Sequence, residues 1–179
     1  MVIQTFEGKT PVIAKDAYIS PRASIIGAVT IGAKSSVWEH AVIRGDYNTI
    51  TIGSETSVQD NCTVHCDMRC ATRIGDRVTL GHNSVVHGCN IEDDVLVGIG
   101  AIILSGVHVG ARSIIGAGCV ITPDTTIPPE SMVLGVPGKV VRSATRAELA
   151  EFAVNAQLYV QLSRRYLADV KHSSKQASQ

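Results

Sequence analysis

Aliphatic residues recur at every sixth position along most of the chain, and this period restricts the fold more than any other feature of the sequence. A period of six fits neither an amphipathic helix nor a strand that simply alternates between apolar and polar residues. It fits a short strand followed by a tight turn, repeated many times, which is the pattern of a parallel β-solenoid. Three such hexads complete one triangular coil, so residues one coil apart stack at the strand spacing of about 4.8 Å. The repeated residues are Ile19, Ile25, Ile31, Val37, Ile43, Ile52, Val58, Val64, Ile74, Leu80, Val86, Ile91, Val97, Ile103, Val109, Ile115, Ile121 and Ile127.

The repeat stops near residue 128, and the sequence that follows predicts a helix. Pro128 and Pro129 interrupt the pattern, and the Gly-Val-Pro-Gly sequence at 135–138 is typical of a turn that leaves a regular structure. Thr145 and Glu148 have the spacing of a capping box, which marks the beginning of a helix. We therefore predict a β-helix domain over residues 1–140, a helix over 141–172 that packs on the solenoid or on a neighbouring subunit, and a disordered tail over 173–179.

The composition argues against several classes of function. The 16 basic residues balance the 16 acidic ones, which gives no footprint for a nucleic acid. No stretch approaches the roughly 18 uninterrupted apolar residues of a membrane span, and the N-terminal segment lacks the basic and apolar parts of an export signal. Five cysteines are an odd number at low density, which favours a reducing, cytoplasmic setting over a disulfide-linked secreted fold.

Three histidines occupy defined places in this repeat. His65 and His87 each directly follow a repeated aliphatic residue of the same face, in consecutive coils, so both point outward and stack. His82 lies at the corner where the preceding face turns into that one, about 16 Å of extended chain from His87. Three ligands of one zinc ion must each place a nitrogen about 2.0–2.1 Å from it. His82 of a neighbouring chain meets this requirement better, which predicts a homotrimer with three equal sites. The alternative interpretation is that the three histidines are ordinary polar surface residues.

Five short motifs around these histidines, taken together, resemble those of the γ-class carbonic anhydrases. The repeat itself, over roughly residues 10–140, resembles the hexapeptide-repeat family. That resemblance implies a left-handed parallel β-helix, so the expected fold class is an all-β solenoid of hexapeptide repeats with a C-terminal α-helix. The five motifs are Arg44-Gly45-Asp46, Val58-Gln59-Asp60-Asn61, Val64-His65, Gly81-His82 and Val86-His87-Gly88-Cys89.

The resemblance implies that His65, His82 and His87 bind a catalytic divalent metal, with two histidines from one chain and one from the next. The expected cofactor is Zn²⁺, although three histidines also suit Fe²⁺ or Co²⁺. Such a metal lowers the pKa of a bound water, and the resulting hydroxide attacks CO₂ to give bicarbonate. By the same resemblance, Gln59 hydrogen-bonds the hydroxide or the bicarbonate. The other residues that the resemblance assigns to the site form a charged cluster at the subunit boundary: Arg44, Asp46 and Asp60.

One member of that charged cluster has support from the repeat alone. Asp60 holds the same hexad position as His82 one coil earlier, so its carboxylate is placed to orient the His82 ring. The alternative is that Arg44, Asp46 and Asp60 form only interface ion pairs.

The sequence departs from the γ-class pattern where protons are transferred. Some members have a long acidic loop with a shuttling glutamate, but here the loop is the short Cys66-Asp67-Met68-Arg69-Cys70 sequence. Tyr47 replaces a second expected glutamate. Proton transfer would then use Asp67, a tyrosine of the C-terminal helix such as Tyr159, or buffer, which leaves slow, absent or redox-gated hydratase activity open. Cys66 and Cys70 have a spacing that could hold a disulfide or a metal, whereas three other cysteines fall at inward packing positions: Cys62, Cys89 and Cys119.

Two other functions fit the repeat. An acyl-CoA-dependent hexapeptide-repeat acyltransferase would share the solenoid and the trimer, and would use a histidine as a general base. That function gives no reason for three histidines to converge. A catalytically weak, metal-binding trimeric scaffold is the other alternative.

Overall fold

The computed structural model describes residues 1–176, with side chains to residue 169. Over this range the chain forms a parallel β-solenoid of about seven coils followed by one helix, which confirms the predicted fold class. The strands are β1 (Val2–Gln4), β2 (Val12–Ile13), β3 (Tyr18–Ile19), β4 (Ser24–Ile31), β5 (Ser36–Val37), β6 (Val42–Ile52), β7 (Ser57–Val58), β8 (Thr63–His65), β9 (Thr72–Ile74), β10 (Thr79–Leu80), β11 (Val85–His87), β12 (Asn90–Ile91), β13 (Leu96–Val97), β14 (Ile102–Ile103), β15 (His108–Val109), β16 (Ile114–Ile115), β17 (Val120–Ile121), β18 (Thr126–Ile127), β19 (Ser131–Leu134) and β20 (Lys139–Ser143), and the helix is α1 (Arg146–Gln176).

The strands stack into three columns, which we call faces one, two and three. Face one contains β2, the second halves of β4 and β6, and then β9, β12, β15 and β18. Face two contains β3, β5, β7, β10, β13, β16 and β19. Face three contains β1, the first halves of β4 and β6, and then β8, β11, β14 and β17. The long strands β4 and β6 pass around a corner and so join faces one and three.

The corners of the triangle repeat with the same period as the sequence. From Asp94 onward, every sixth residue to Glu130 has a positive φ, and each lies three positions after a repeated aliphatic residue. This left-handed conformation makes the tight turn between two faces. Side chains other than glycine adopt it at a cost of about 1 kcal/mol or more, and burial of the aliphatic residues in one continuous core offsets that cost.

The glycines that directly follow the repeated aliphatic residues have a different purpose. Gly98 has no positive φ, but a Cβ built on it would lie 2.5 Å from the backbone nitrogen of Ala117 and 2.7 Å from the carbonyl oxygen of Ile115. These positions bring one coil against the next, and there is no room for a side chain. The pattern of glycines therefore records close approach between coils rather than turn conformation.

The repeat continues one strand further than the sequence indicated. The prediction that it stops at Pro128 and Pro129 is wrong, because β19 pairs in parallel with β16 and buries Val133, six residues after Ile127. The prolines are tolerated because they lie in a corner turn. The chain then turns at 135–138 and adds β20 antiparallel to β19, an exposed strand that the sequence did not predict.

Helix α1 begins at the predicted capping box and packs on its own solenoid. The Thr145 amide and hydroxyl both donate to the Glu148 carboxylate at 2.8 Å. The helix lies against face two, where Trp38 contacts the rings of Tyr159 and Tyr166. It includes residues 173–176 of the tail predicted to be disordered, and residues 177–179 lie outside the described residues. Within the described chain, no helix is both long enough and apolar enough to cross a membrane.

Two neighbouring glycines separate the roles of close approach and of turn conformation. We expect Gly98→Ala to destabilise the fold by more than about 3 kcal/mol, because the added Cβ meets backbone atoms of the next coil. Gly100→Ala is the matched control: its φ is +68°, but nothing lies within 4 Å of the added Cβ. Gly100→Ala should lower the free energy of unfolding by only about 1–2 kcal/mol, because the alanine has to adopt a left-handed conformation. Equilibrium urea unfolding of both variants measures the difference, and equal losses would contradict this account.

Candidate metal centre

His65 and His87 lie side by side on face three, as the sequence predicted. The strand register pairs His87 with His65, and His65 in turn with Arg44 one coil earlier. The ring centroids are 5.1 Å apart, and Nδ1 of His65 faces Nε2 of His87 at 3.1 Å. Both rings are partly buried. The stacking of consecutive coils therefore brings one nitrogen of each ring close to the other.

Asp46 fixes the protonation pattern of His65. One oxygen of its carboxylate lies 2.8 Å from Nε2 of His65, and the other accepts a hydrogen bond from Arg44. Partial burial by itself raises the pKa of the Asp46 carboxyl, but the hydrogen bonds from His65, the Tyr47 amide and Arg44 outweigh it and bring the pKa to about 2. An ionised carboxylate can only accept hydrogen bonds, so Nε2 of His65 must carry a proton. In the neutral ring, Nδ1 then holds a lone pair directed at His87.

This pair of nitrogens has the dimensions of two ligands in a metal site. In a tetrahedral zinc site with bonds of about 2.0–2.1 Å, adjacent nitrogens are about 3.3 Å apart. The observed distance of 3.1 Å is close to that value. In the absence of a metal, a proton on Nε2 of His87 can bridge the two nitrogens as a hydrogen bond, and a metal cation can take the place of that proton. The donor set and its spacing therefore fit a divalent metal that is bound through His65 and His87.

His82 lies at the corner between faces two and three, with its own set of contacts. Its Nδ1 is 2.9 Å from the Asp60 carboxylate, as the shared hexad position of these two residues predicted. Its backbone amide donates to the side-chain oxygen of Gln59 at 3.1 Å. Gln59 is 5% exposed and lines the same groove as Tyr159 of α1. With Nδ1 directed at Asp60, Nε2 of His82 is the nitrogen left to bind a metal.

His82 does not join the other two histidines within one chain. Among the described residues, the group of three ligating atoms that lie within 4.8 Å of one another is formed by Asp46, His65 and Cys66, and His82 is not part of it. One chain thus carries two separate parts of a site. The first part is His65, His87, Arg44 and Asp46 on face three, and the second is His82, Asp60, Gln59 and Tyr159 at the corner.

Cys66 forms no disulfide in the described chain, although it lies within reach of Asp46 and His65 as a third possible metal ligand. Cys66 is fully buried in the core, and the described cysteines are all unpaired. Burial raises the pKa of its thiol, and the sulfur exchanges hydrogen bonds with the Asn48 backbone at 3.2 Å. A neutral thiol is a poor metal ligand. Cys66 instead holds the bend of β6 that carries Asp46.

The remaining predictions about individual residues have clear outcomes. Three cysteines lie in the core, as their hexad position predicted: Cys62, Cys89 and Cys119. Tyr47 is exposed, and its ring centroid is 6.0 Å from that of His65. Sequence reasoning missed Ser105, whose hydroxyl is 2.9 Å from Nδ1 of His87. The sequence feature that could have identified Ser105 is its position at the corner that ends face three, one coil after His87.

Comparisons with known proteins show to which family the chain is related. The family models of the bacterial transferase hexapeptide and of the hexapeptide repeat of succinyl-transferase match residues 88–123 and 71–93. The chain is 51% identical to a protein named as a probable carbonic anhydrase from Methanocaldococcus jannaschii, over 84% of this chain and 95% of that one. It is 39% identical to γ carbonic anhydrase 2, mitochondrial, of Arabidopsis thaliana, over 94% of this chain.

The lengths of these relatives differ, and a solved structure supports the fold. The chain spans 63% of the length of the Arabidopsis protein. A hexapeptide transferase family protein from Anaplasma phagocytophilum has a similar structure, with a TM-score of 0.89 and 33% identity. The match covers 92% of this chain and 98% of that one.

The structure offers a matched control for the metal ligands. His108 also points outward from a strand and also has a carboxylate partner, Glu92, at 3.1 Å, but it lies on face one. We expect His65→Ala to reduce bound metal at least tenfold, because it removes one of the two facing nitrogens. His108→Ala should leave the metal content unchanged. Elemental analysis of anaerobically purified protein measures both, and equal metal in the two variants would place the ion elsewhere.

Proposed function

The chain belongs to the γ-class carbonic anhydrase family of hexapeptide-repeat proteins, and on this basis we propose that it catalyses the reversible hydration of CO₂ to bicarbonate at a site shared between subunits. The observation that carries the proposal is the pair of facing nitrogens on His65 and His87, 3.1 Å apart. Two ligands leave a metal site incomplete, and His82 of a second copy would supply the third.

A homotrimer would bring the two parts of the site together. His82 lies on a corner, and a corner of one prism can insert against face three of the next. The same hexad position holds Asp60 one coil earlier and Ile99 one coil later. Ile99 is 56% exposed, and it lines an apolar groove of about 400 Å³ beside His82 and Tyr159. An exposed isoleucine next to a polar ligand suits a surface that is covered by another subunit.

The bound metal would supply Lewis acidity, which lowers the pKa of a coordinated water toward neutrality. Zinc is the proposed ion, and three histidines also suit Fe²⁺ or Co²⁺. Asp46 and Asp60 would each hold a histidine in the tautomer that presents a lone pair, which increases the basicity of that ligand. Arg44 would keep the Asp46 carboxylate ionised and oriented.

Gln59 is the residue proposed to contact the reacting oxygen or the bicarbonate. Its side-chain oxygen already accepts the His82 amide proton, so its amide group is the donor that remains. Tyr159 lines the same groove, and burial raises the pKa of its hydroxyl. A neutral tyrosine and an amide can orient bicarbonate by hydrogen bonds without adding charge to the site.

Proton transfer is the step for which this chain is least equipped. The short loop at 66–71 has no glutamate, and Tyr47 stands where a second one is expected. We therefore propose slow turnover that depends on buffer. The cytoplasmic location also stays a prediction, since a relative of this chain is named as mitochondrial.

A transferase is the second candidate, and the likeness to the Anaplasma hexapeptide transferase family protein favours it. An acyl-CoA-dependent transferase needs one histidine as a general base. It gives no reason for carboxylates beside His65 and His82, or for two ring nitrogens that face each other at 3.1 Å. The other alternative, an inactive metal-binding scaffold, would keep the metal and the trimer without turnover.

Stopped-flow CO₂ hydration and elemental analysis of one anaerobic sample test the proposal. We expect about one metal per chain and a hydration rate above that of the His65→Ala variant, and a rate that rises with buffer concentration because no internal shuttle is in place. Gln59→Leu should lower kcat/KM by about 10-fold or more and leave the metal bound, since it removes a donor to the reacting group.

The same sample distinguishes the alternatives. A metal-free trimer that transfers an acyl group from acetyl-CoA would establish the transferase. Full metal content with no hydration above the His65→Ala background would favour the scaffold.

A further inference from the structure

We propose that a groove beside the loop at 66–70 binds a small oxyanion such as phosphate or bicarbonate. The groove has a volume of about 390 Å³, and we call it the loop groove. Three of the groups that line it donate no hydrogen bond and form no ion pair with a described residue: the guanidinium groups of Arg69 and Arg73 and the side-chain nitrogen of Asn48. Free donors on one concave surface, two of them cationic, indicate a ligand with negative charge and several oxygens.

Arg73 lies in a row of outward-facing side chains on face one. The strand register places it between Thr51 of the coil before and Asn90 of the coil after, and His108 follows Asn90. Asn90 is already engaged, because its side-chain nitrogen lies 2.9 Å from Nδ1 of His108. The exposed guanidinium of Arg73 therefore has only neutral neighbours in the adjacent coils of this row.

Other arginines of the solenoid are paired with an acidic side chain of the next coil. Arg77 contacts Asp94 at 2.6 Å, and Arg112 contacts Glu130 at 2.7 Å. Stacking in register can thus supply a carboxylate to an arginine, but it supplies none to Arg73. An unpaired guanidinium keeps its full charge and its planar set of N–H donors for a ligand.

The bend of β6 and the loop hold the other two donors in place. The side-chain oxygen of Asn48 accepts the Thr49 amide at 2.8 Å, so its side-chain nitrogen is left to donate. The backbone of Asn48 is fixed by the buried thiol of Cys66 at 3.2 Å. Arg69 lies in a turn that is closed by its own backbone amide, which donates to Asp67 at 2.8 Å.

The acidic groups near the loop groove do not line it. Asp67 accepts two backbone amides of its own turn. Glu92 lies 3.1 Å from Nε2 of His108 and also accepts a backbone amide of the next coil. Asp124 lies beside Gly106, one coil further on. Since no carboxylate lines the groove, an anion that enters it meets cationic groups without a competing negative charge.

The chemistry of these donors selects an oxyanion. A planar guanidinium can donate two parallel hydrogen bonds to two oxygens of one group, which a monatomic anion such as chloride cannot accept in that way. The groove wall includes Gly88, the residue that directly follows His87, whereas none of the three proposed metal ligands lines the groove. The site therefore does not depend on the metal. Its link to bicarbonate, the anion formed at the neighbouring centre, rests on the proposed function.

Titration of ¹⁵N-labelled protein with sodium phosphate and with sodium bicarbonate, at constant ionic strength, tests the proposal. We expect the side-chain N–H resonances of Arg69, Arg73 and Asn48 to shift in a saturable way. Arg73→Gln should weaken the binding of both anions by about 10-fold or more, because it removes a charged pair of donors. Arg112→Gln is the matched control, since it removes the same charge from an arginine that already has a carboxylate partner outside the groove. It should leave both affinities unchanged.

Sodium chloride provides the comparison for charge alone. Resonance shifts with chloride that equal those with phosphate, or equal losses of affinity in Arg73→Gln and Arg112→Gln, would overturn the proposal. If Arg73→Gln fails to fold, Arg69→Gln provides the same test, because Arg69 is an exposed loop residue.

The two anions also separate the sources of the ligand. Tighter binding of bicarbonate would identify the groove as a site for the reaction product, and tighter binding of phosphate would identify it as a site for a phosphate group. Oxyanion binding in a protein that does not hydrate CO₂ would contradict the proposed function and support this inference. CO₂ hydration without any oxyanion in the groove would overturn this inference alone.

Discussion

The facing nitrogens of His65 and His87 are the contact on which the rest of this account depends. Nδ1 of His65 and Nε2 of His87 face each other across 3.1 Å, while the other nitrogen of each ring contacts Asp46 or the Ser105 hydroxyl. At this distance the two nitrogens share a proton in a hydrogen bond or bind one metal cation, because two bare lone pairs would repel. The hydrogen-bonded strands of the solenoid hold the two rings beside each other, because they fix the separation of consecutive coils at about 4.8 Å. The site is therefore held by the backbone rather than by the side chains alone.

The same ladder explains how a site can be built on so small a scaffold. Each coil contributes one buried aliphatic residue per face, and the next residue along the strand points outward in register with its neighbours. A ligand placed on this row cannot move along the strand without moving the whole coil. Its supporting residues come from neighbouring coils: Asp46 from the coil before His65, and Ser105 from the coil after His87. Such preorganisation keeps ligand atoms near the geometry that a metal requires.

Much of this structure could be predicted from the sequence, because one period governs both the core and the surface. The six-residue period predicted that His65 and His87 lie on one face and that Asp60 lies beside His82, because residues at the same hexad position stack in register from coil to coil. The same reasoning failed where the chain leaves the period. Cys66 begins an insertion, and the pattern gave no sign that it folds inward; β20 reverses direction after the last coil. Val133 keeps the six-residue period, but the prolines at 128–129 indicated that the solenoid ends there. They occupy a corner instead, and β19 continues the solenoid.

The central claim is that each metal site takes His65 and His87 from one chain and His82 from another, and subunit mixing tests it most directly. His82→Ala and His65→Ala chains should each form trimers with little metal. If they are co-expressed and mix at random, three quarters of the trimers are mixed and each has one intact interface, so about a quarter of the parent metal content should return. No recovery in trimers shown to contain both chains would contradict the account.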